Sequence, residues 1–362
     1  MKNSFGNNVS VTLFGESHGA AVGAVIDGLP AGISVDESFI EHQLFLRRPV
    51  GKISTPRKET DKFSIVSGVF NGKTTGTPIC VLIPNENTKS GDYSKNYGKA
   101  RPGHADYTAY VKYNGCEDYR GGGHFSGRIT AGLVAAGAIA VDLLKNKGIY
   151  IATHINKCAG VSDTGFNDYK KDAEYLSAAQ FPVLNEGVKD KMISAIEKAA
   201  EEGDSVGGIL ETAVTGVPVG VGEPWFDSVE SVLSHALFSI PAVKGVEFGA
   251  GFGCADMLGS QMNDEFRIND GVITTKTNNN GGINGGITNG MPLVFRCAVK
   301  PTPSIAKSQN TVDFTSGEEV VLSVSGRHDP CIVHRARVVV DSVVAIVLCD
   351  LLSQKFGTDW LV

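Results

Sequence analysis

The segment from Ser126 to about Lys147 has almost no polar face. It is rich in Ala and Gly, and apolar residues fall nearly all round a helix drawn through it. Such a helix must be covered on every side. Its unbroken apolar run, Ala131 to Val141, is well short of the roughly 20 residues that cross a bilayer, so protein must supply the cover. The last helix, Arg335 to about Leu352, is apolar too. No linker or periodic repeat divides the chain, although two strand-rich halves each carry one long helix. The expected fold is therefore α+β, a single domain over residues 1–362, with helices packed between sheets.

Turn chemistry places the other elements. Val9 to Phe14 and Ala21 to Ile26 are predicted strands, joined by a tip at Gly15-Glu16-Ser17-His18-Gly19. Asp36 opens a helix to about Leu46, which Pro49 ends. Arg47 and Arg48 then stand at its C-terminus, where cations suit the helix dipole. Phe63 to Phe70 and Thr77 to Ile83 are predicted strands, with Asn71-Gly72 as a type I′ hairpin signal. Further strands are predicted at Tyr150–Ile155, Gly207–Val217, Val243–Phe248, Leu293–Val299 and Val320–Val324. Helices are predicted at Glu186–Glu202 and from an Asp227/Glu230 capping box to about Leu237. The polar stretches Pro84 to Lys99 and Asn278 to Gly290 are loops of the kind that cover or face a ligand.

The chain carries 33 basic and 39 acidic residues, a net charge of −6. That total argues against nucleic-acid binding, even though Arg47, Arg48, Lys52, Arg57 and Lys58 crowd one stretch. Seven cysteines without a Cys-x-x-Cys indicate reduced thiols rather than a zinc or disulfide framework. Met1 to Gly6 has no apolar h-region. The expected setting is cytoplasmic, with no nucleic acid and no membrane as partner.

Four polar clusters stand out. Arg101-Pro102-Gly103-His104-Ala105-Asp106 precedes Arg120-Gly121-Gly122-Gly123-His124-Phe125-Ser126-Gly127-Arg128, which opens the apolar helix. Glycines admit close backbone approach to a ligand, and a helix N-terminus favours anions. Gly15 to Gly19 and Gly326-Arg327-His328-Asp329-Pro330 each pair a His with an acidic or basic residue. Lys300-Pro301-Thr302-Pro303-Ser304 puts a cation and two hydroxyls in a proline-stiffened turn. Histidines exchange protons near neutral pH, and arginines bind carboxylate and phosphate. No cluster has metal-ligand spacing, a nucleophile elbow, a Walker lysine or a Rossmann fingerprint. The residues point to acid–base chemistry on a multiply anionic small molecule, without giving the reaction. A metal-free phosphatase using His18 or His328, and a nucleic-acid module gripping through Arg47 to Lys58, are the rival readings.

Six motifs, taken together and in order, resemble chorismate synthase: Gly15–Gly19, Arg101–Asp106, Asp118–Gly123, Lys244–Gly249, Lys300–Thr302 and Gly326–Pro330. The resemblance implies helices sandwiched between antiparallel β-sheets and a homotetramer. It implies that 5-enolpyruvylshikimate 3-phosphate loses phosphate and a ring proton by anti-1,4-elimination to give chorismate. It also implies reduced FMN as cofactor, with NADPH needed, if at all, only to reduce the flavin. By the same resemblance His18 protonates the departing phosphate, His104 keeps the reduced flavin monoprotonated, and Asp329 helps flavin N5 accept the substrate proton. Ser17, Arg47, Arg48, Arg57, Arg128 and Arg327 are the expected substrate contacts. His124, Phe125, Ser126, Pro241, Ala242, Gly286, Lys300, Pro301, Thr302, Pro303, Ser304 and Arg327 are the expected flavin contacts. The chain departs from the family pattern at Val50–Ser54, where Lys52 stands near an expected Arg. It departs again at His124–Gly127, and at Asp341, where the family tends to have Glu.

Overall fold

A computed structural model describes residues 2–49, 51–55, 60–86, 97–324 and 329–362. The first sheet is built from β1 (Ser4–Phe5), β2 (Ser10–Gly15), β3 (Ala21–Asp27), β4 (Ser64–Ser67) and β7 (Ile79–Pro84), in the order β1-β2-β3-β7-β4 and antiparallel throughout. A small hairpin, β5 (Val69–Phe70) with β6 (Lys73–Thr74), interrupts it. The second sheet runs β11-β16-β10-β8-β9, from β8 (Tyr150–Cys158), β9 (Val161–Ser162), β10 (Gly208–Thr215), β11 (Val243–Phe248) and β16 (Leu293–Val299). It too is antiparallel. Three further hairpins join β12 (Phe266–Asn269) to β13 (Val272–Thr275), β14 (Ile283–Asn284) to β15 (Ile287–Thr288), and β17 (Gln309–Asp313) to β18 (Glu318–Leu322).

Helices α1 (Glu37–Arg47), α2 (Asp106–Lys112), α3 (Thr130–Asn146), α4 (Tyr169–Ser177), α5 (Glu186–Glu201), α6 (Val229–Leu237), α7 (Gly259–Met262) and α8 (Val333–Phe356) complete the order. α3 lies on the first sheet and α8 on the second, and the two pack on each other, with α1 and α6 beside them. The helices are thus enclosed between antiparallel sheets, and one apolar cluster runs from Val9 to Leu361. Small residues set the layer spacing. A Cβ at Gly132 would lie 2.5 Å from the backbone of Gly23 on β3, and one at Gly137 would lie 2.3 Å from Cβ of Ser342 on α8. The stretch Gly127–Asn146 is in fact long and apolar enough to cross a membrane, but 83% of its apolar 18-residue window is buried inside the fold.

Some boundaries move for physical reasons. Asn71 and Gly72 both have positive φ, as a type I′ turn requires, yet they close only β5 onto β6. The expected strand 63–70 breaks at Gly68, whose Cβ would lie 2.6 Å from the Ile79 backbone. The N-cap of α6 is Ser228, whose Oγ accepts from Ser231 N–H at 3.1 Å, rather than Asp227. The Asn278–Gly290 loop is folded around Asp264, which accepts the N–H groups of Asn279 and Asn280 at 2.8 Å each. α2, α4, β17 and the β12–β13 hairpin are not among the expected elements.

Two polar devices cross the second sheet. Glu247, Arg296, Glu211 and His154 are successive cross-strand partners on β11, β16, β10 and β8, joined by contacts of 2.7 to 3.2 Å. Burial pushes the His154 pKa down, but the carboxylates of Asp163 and Glu211 outweigh it and raise it. On the helix side Asp341 accepts from Thr153 at 2.6 Å and faces Arg337 at 3.6 Å. Burial pushes its carboxyl up to about 6.

Candidate active site

The triple glycine is the centre of the site. Gly121, Gly122 and Gly123 take φ values of 60°, 83° and 52°, a left-handed turn open chiefly to glycine. The absence of side chains is used on both flanks. A Cβ at Gly121 would lie 2.4 Å from Cε1 of His18 and 2.8 Å from Oγ of Ser17. A Cβ at Gly122 would lie 3.0 Å from Cε1 and 3.1 Å from Nε2 of His104. The β2–β3 tip is locked onto the turn: Ser17 N–H donates to Gly123 O at 3.0 Å, and Nδ1 of His124 lies 2.7 Å from Gly15 O. Ser17 and His18 are both buried. Ser126 caps the following turn by accepting from Arg128 N–H at 3.2 Å.

His104 is held from behind. Its Nδ1 lies 2.7 Å from Oδ1 of Asp106, and Arg101 grips the same carboxylate through Nε at 2.8 Å and Nη2 at 2.7 Å. Burial pushes the Asp106 carboxyl up, but hydrogen bonds from Arg101 and His104 prevail and hold it well below the usual range. An Nδ1–H donated to that carboxylate leaves the Nε2 edge against Gly122.

The Lys300–Ser304 turn packs on this segment. Lys300 donates to the Gly103 carbonyl, and Arg101 Nη1 donates to Ser304 Oγ at 3.3 Å. Pro303 lies beside Gly103. Lys300 N–H donates to Ala242 O at 2.9 Å, which brings the Pro241-Ala242 turn alongside. Thr302 Oγ1 is buried and has no hydrogen-bond partner among the described residues.

A guanidinium cluster adjoins the β2–β3 tip. Arg47, from the end of α1, reaches Asp61 Oδ2 at 3.1 Å, and Arg128 binds Oδ1 of the same carboxylate. Arg128 Nε also donates to Asn85 Oδ1 at 2.9 Å, while Asn85 Nδ2 donates to the carbonyls of Glu16 and Gly19, each at 2.9 Å. Arg48 donates to the Thr60 carbonyl. Asp329 pairs with Arg335 and accepts from Thr55 N–H at 3.3 Å.

The expected residues therefore fall into linked groups. His18, Ser17, His124 and Ser126 line one flank of the glycine turn; His104, Lys300, Thr302, Pro303 and Ser304 lie on the other. Phe125 is exposed and edges onto Tyr113. A Cβ at Gly286 would meet the Glu223 carbonyl at 2.5 Å and Ser228 Cβ at 2.7 Å. Arg57, Arg327 and His328 lie outside the described residues, as does most of the Pro84–Lys99 loop. Asp61, Asn85, Asp106 and Arg335 were missed as site residues. Asp106 lies inside a quoted motif and Asn85 at the end of a strand, but neither Asp61 nor Arg335 sits in a pattern that marks it.

Helices enclosed between two antiparallel sheets, with histidines, carboxylates and guanidinium groups gathered near one glycine turn, have the make-up of an enzyme with a candidate acid–base site. The family model for chorismate synthase matches residues 9–353, and the chain belongs to the chorismate synthase family. It is 47% identical over 357 residues to a chorismate synthase of Thermococcus kodakarensis, covering 99% of both chains. It is 50% identical over 355 residues to one of Chitinophaga pinensis, covering 98% of both. A crystal structure of chorismate synthase superimposes with a TM-score of 0.77 at 30% identity, over 98% of this chain and 94% of that one.

Proposed function

We propose that this enzyme, a lyase of aromatic amino acid biosynthesis, eliminates phosphate from 5-enolpyruvylshikimate 3-phosphate to form chorismate at the Gly121–Gly123 turn. The observation that carries this placement is the pair of histidines on opposite flanks of one turn that has no side chains. Two carboxylates and a phosphate need several cations in a site shielded from water, and Arg47, Arg48 and Arg128 stand beside the His18 flank.

The residues fit a flavin mononucleotide on the other flank. Lys300 offers a cation, Ser304 a hydroxyl, and Thr302 a buried hydroxyl with no protein partner among the described residues. When bound in reduced form, FMN would supply the electron lent to the substrate and recovered at the end, and a basic nitrogen for the ring proton. His18 gives its proton to the departing phosphate oxygen, with Ser17 beside it. His104 holds a proton next to the cofactor, and Asp106 fixes its Nδ1–H. Asp329 is the carboxylate on the proton-removal side. A homotetramer in the cytoplasm, with NADPH serving only to reduce the flavin, completes this reading.

Mixing the protein with the phosphate ester and reduced FMN tests it. Phosphate and chorismate should appear in equal amounts. Phosphate without chorismate would instead support a phosphatase.

A further inference from the structure

We propose that Arg335 is a positioning residue for this reaction: its guanidinium ties the Asp329 carboxylate to the main chain at Arg47, so that the two ends of the site keep one spacing and Asp329 keeps its charge. The inference rests on the role given to Asp329 above. Arg335 Nη1 donates to Asp329 Oδ2, while its Nε donates to the Arg47 carbonyl at 2.8 Å. One planar group thus bridges the turn before α8 to the end of α1, whose own side chain runs on to Asp61.

The placement of Arg335 is costly without a partner. It lies in the first turn of the 24-residue helix α8, which has no acidic residue there. A cation at a helix N-terminus opposes the dipole. Nothing in helix formation favours it; the carboxylate does. Among the described residues, the charged groups facing Asp329 are Arg335 from α8 and Arg47 from α1, with the Thr55 N–H from the loop after α1. Burial pushes the Asp329 carboxyl up, and the two arginines oppose it without fully offsetting it. Loss of Arg335 would push it higher.

The test compares wild type with Arg335→Gln, Arg335→Lys and Asp329→Asn. In the kcat/KM profile with reduced FMN, Arg335→Gln should move the acid limb up by about one pH unit or more, and Arg335→Lys should restore most of it. The second readout needs no flavin. An Asp with a raised folded pKa loses stability as pH rises through that pKa. The Tm cost of Arg335→Gln should therefore grow from pH 5 to pH 8, and that growth should vanish in an Asp329→Asn background. An unmoved acid limb in an enzyme that needs Asp329, or a Tm cost that does not change with pH, would overturn the role of Arg335. An Asp329→Asn enzyme with wild-type turnover would instead overturn the role of Asp329 itself.

Discussion

The backbone of Gly121 runs so close to the His18 ring that a methyl group there would sit 2.4 Å from Cε1. Gly121→Ala should therefore displace His18 and lower kcat/KM by about 100-fold or more, the scale expected of a shift near 1 Å. Gly122→Ala meets His104 at 3.0 Å and should cost less. Steady-state kinetics beside thermal melts separate these effects from the strain of an Ala at positive φ, which both variants share. Equal losses in melting temperature with unequal losses in turnover are the expected result.

Asp61 carries two buried guanidinium groups on one carboxylate that is 1% exposed. Its φ of 49° is one that Asn tolerates, so Asp61→Asn removes the charge with little backbone penalty. Burial pushes its carboxyl up, but Arg47 and Arg128 prevail and lower it. Its stabilising effect is present above the unfolded pKa and is lost as pH falls through the folded one. Denaturant unfolding should show Asp61→Asn losing about 3–5 kcal/mol at pH 7, with the gap closing in acid.

Asp341 behaves in the opposite sense. Its carboxyl is pushed up from 3.8 to about 6, so wild type is favoured at low pH and loses that advantage as pH rises through 6. Measured between pH 4 and pH 8, wild type should lose about 2 kcal/mol relative to Asp341→Asn. A gap that does not change with pH would contradict the burial of an ionisable Asp341.

Thr302 offers a test with two signs. Its hydroxyl is buried with no hydrogen-bond partner among the described residues, so Thr302→Val should raise the stability of the flavin-free protein by about 1 kcal/mol. If that hydroxyl serves FMN, the same change should weaken flavin binding about tenfold. Melting and flavin fluorescence titration read the two effects separately.

Much of the architecture was legible because it follows from local rules. The all-round apolar character of α3 required cover on both sides, and Gly132 and Gly137 show how close that cover comes. Asp36 caps α1 through Ser38 and Phe39 as its position suggested. The site was legible where motif and local turn coincide, as at Gly121–Gly123 and Lys300–Ser304. It was not legible where a residue acts through partners far along the chain. Asp61 meets Arg128 across 67 positions, and Arg335 meets Arg47 across 288. Neither has a spacing rule, because tertiary packing alone makes the pair.

The most direct test of the account is chorismate formation from 5-enolpyruvylshikimate 3-phosphate under anaerobic conditions, followed in parallel with reduced and with oxidised FMN. The account predicts turnover with reduced FMN only, and a severe loss in His18→Asn and His104→Asn proteins that melt like wild type. Turnover that ignores the redox state of the flavin, or that survives loss of both histidines, would contradict it.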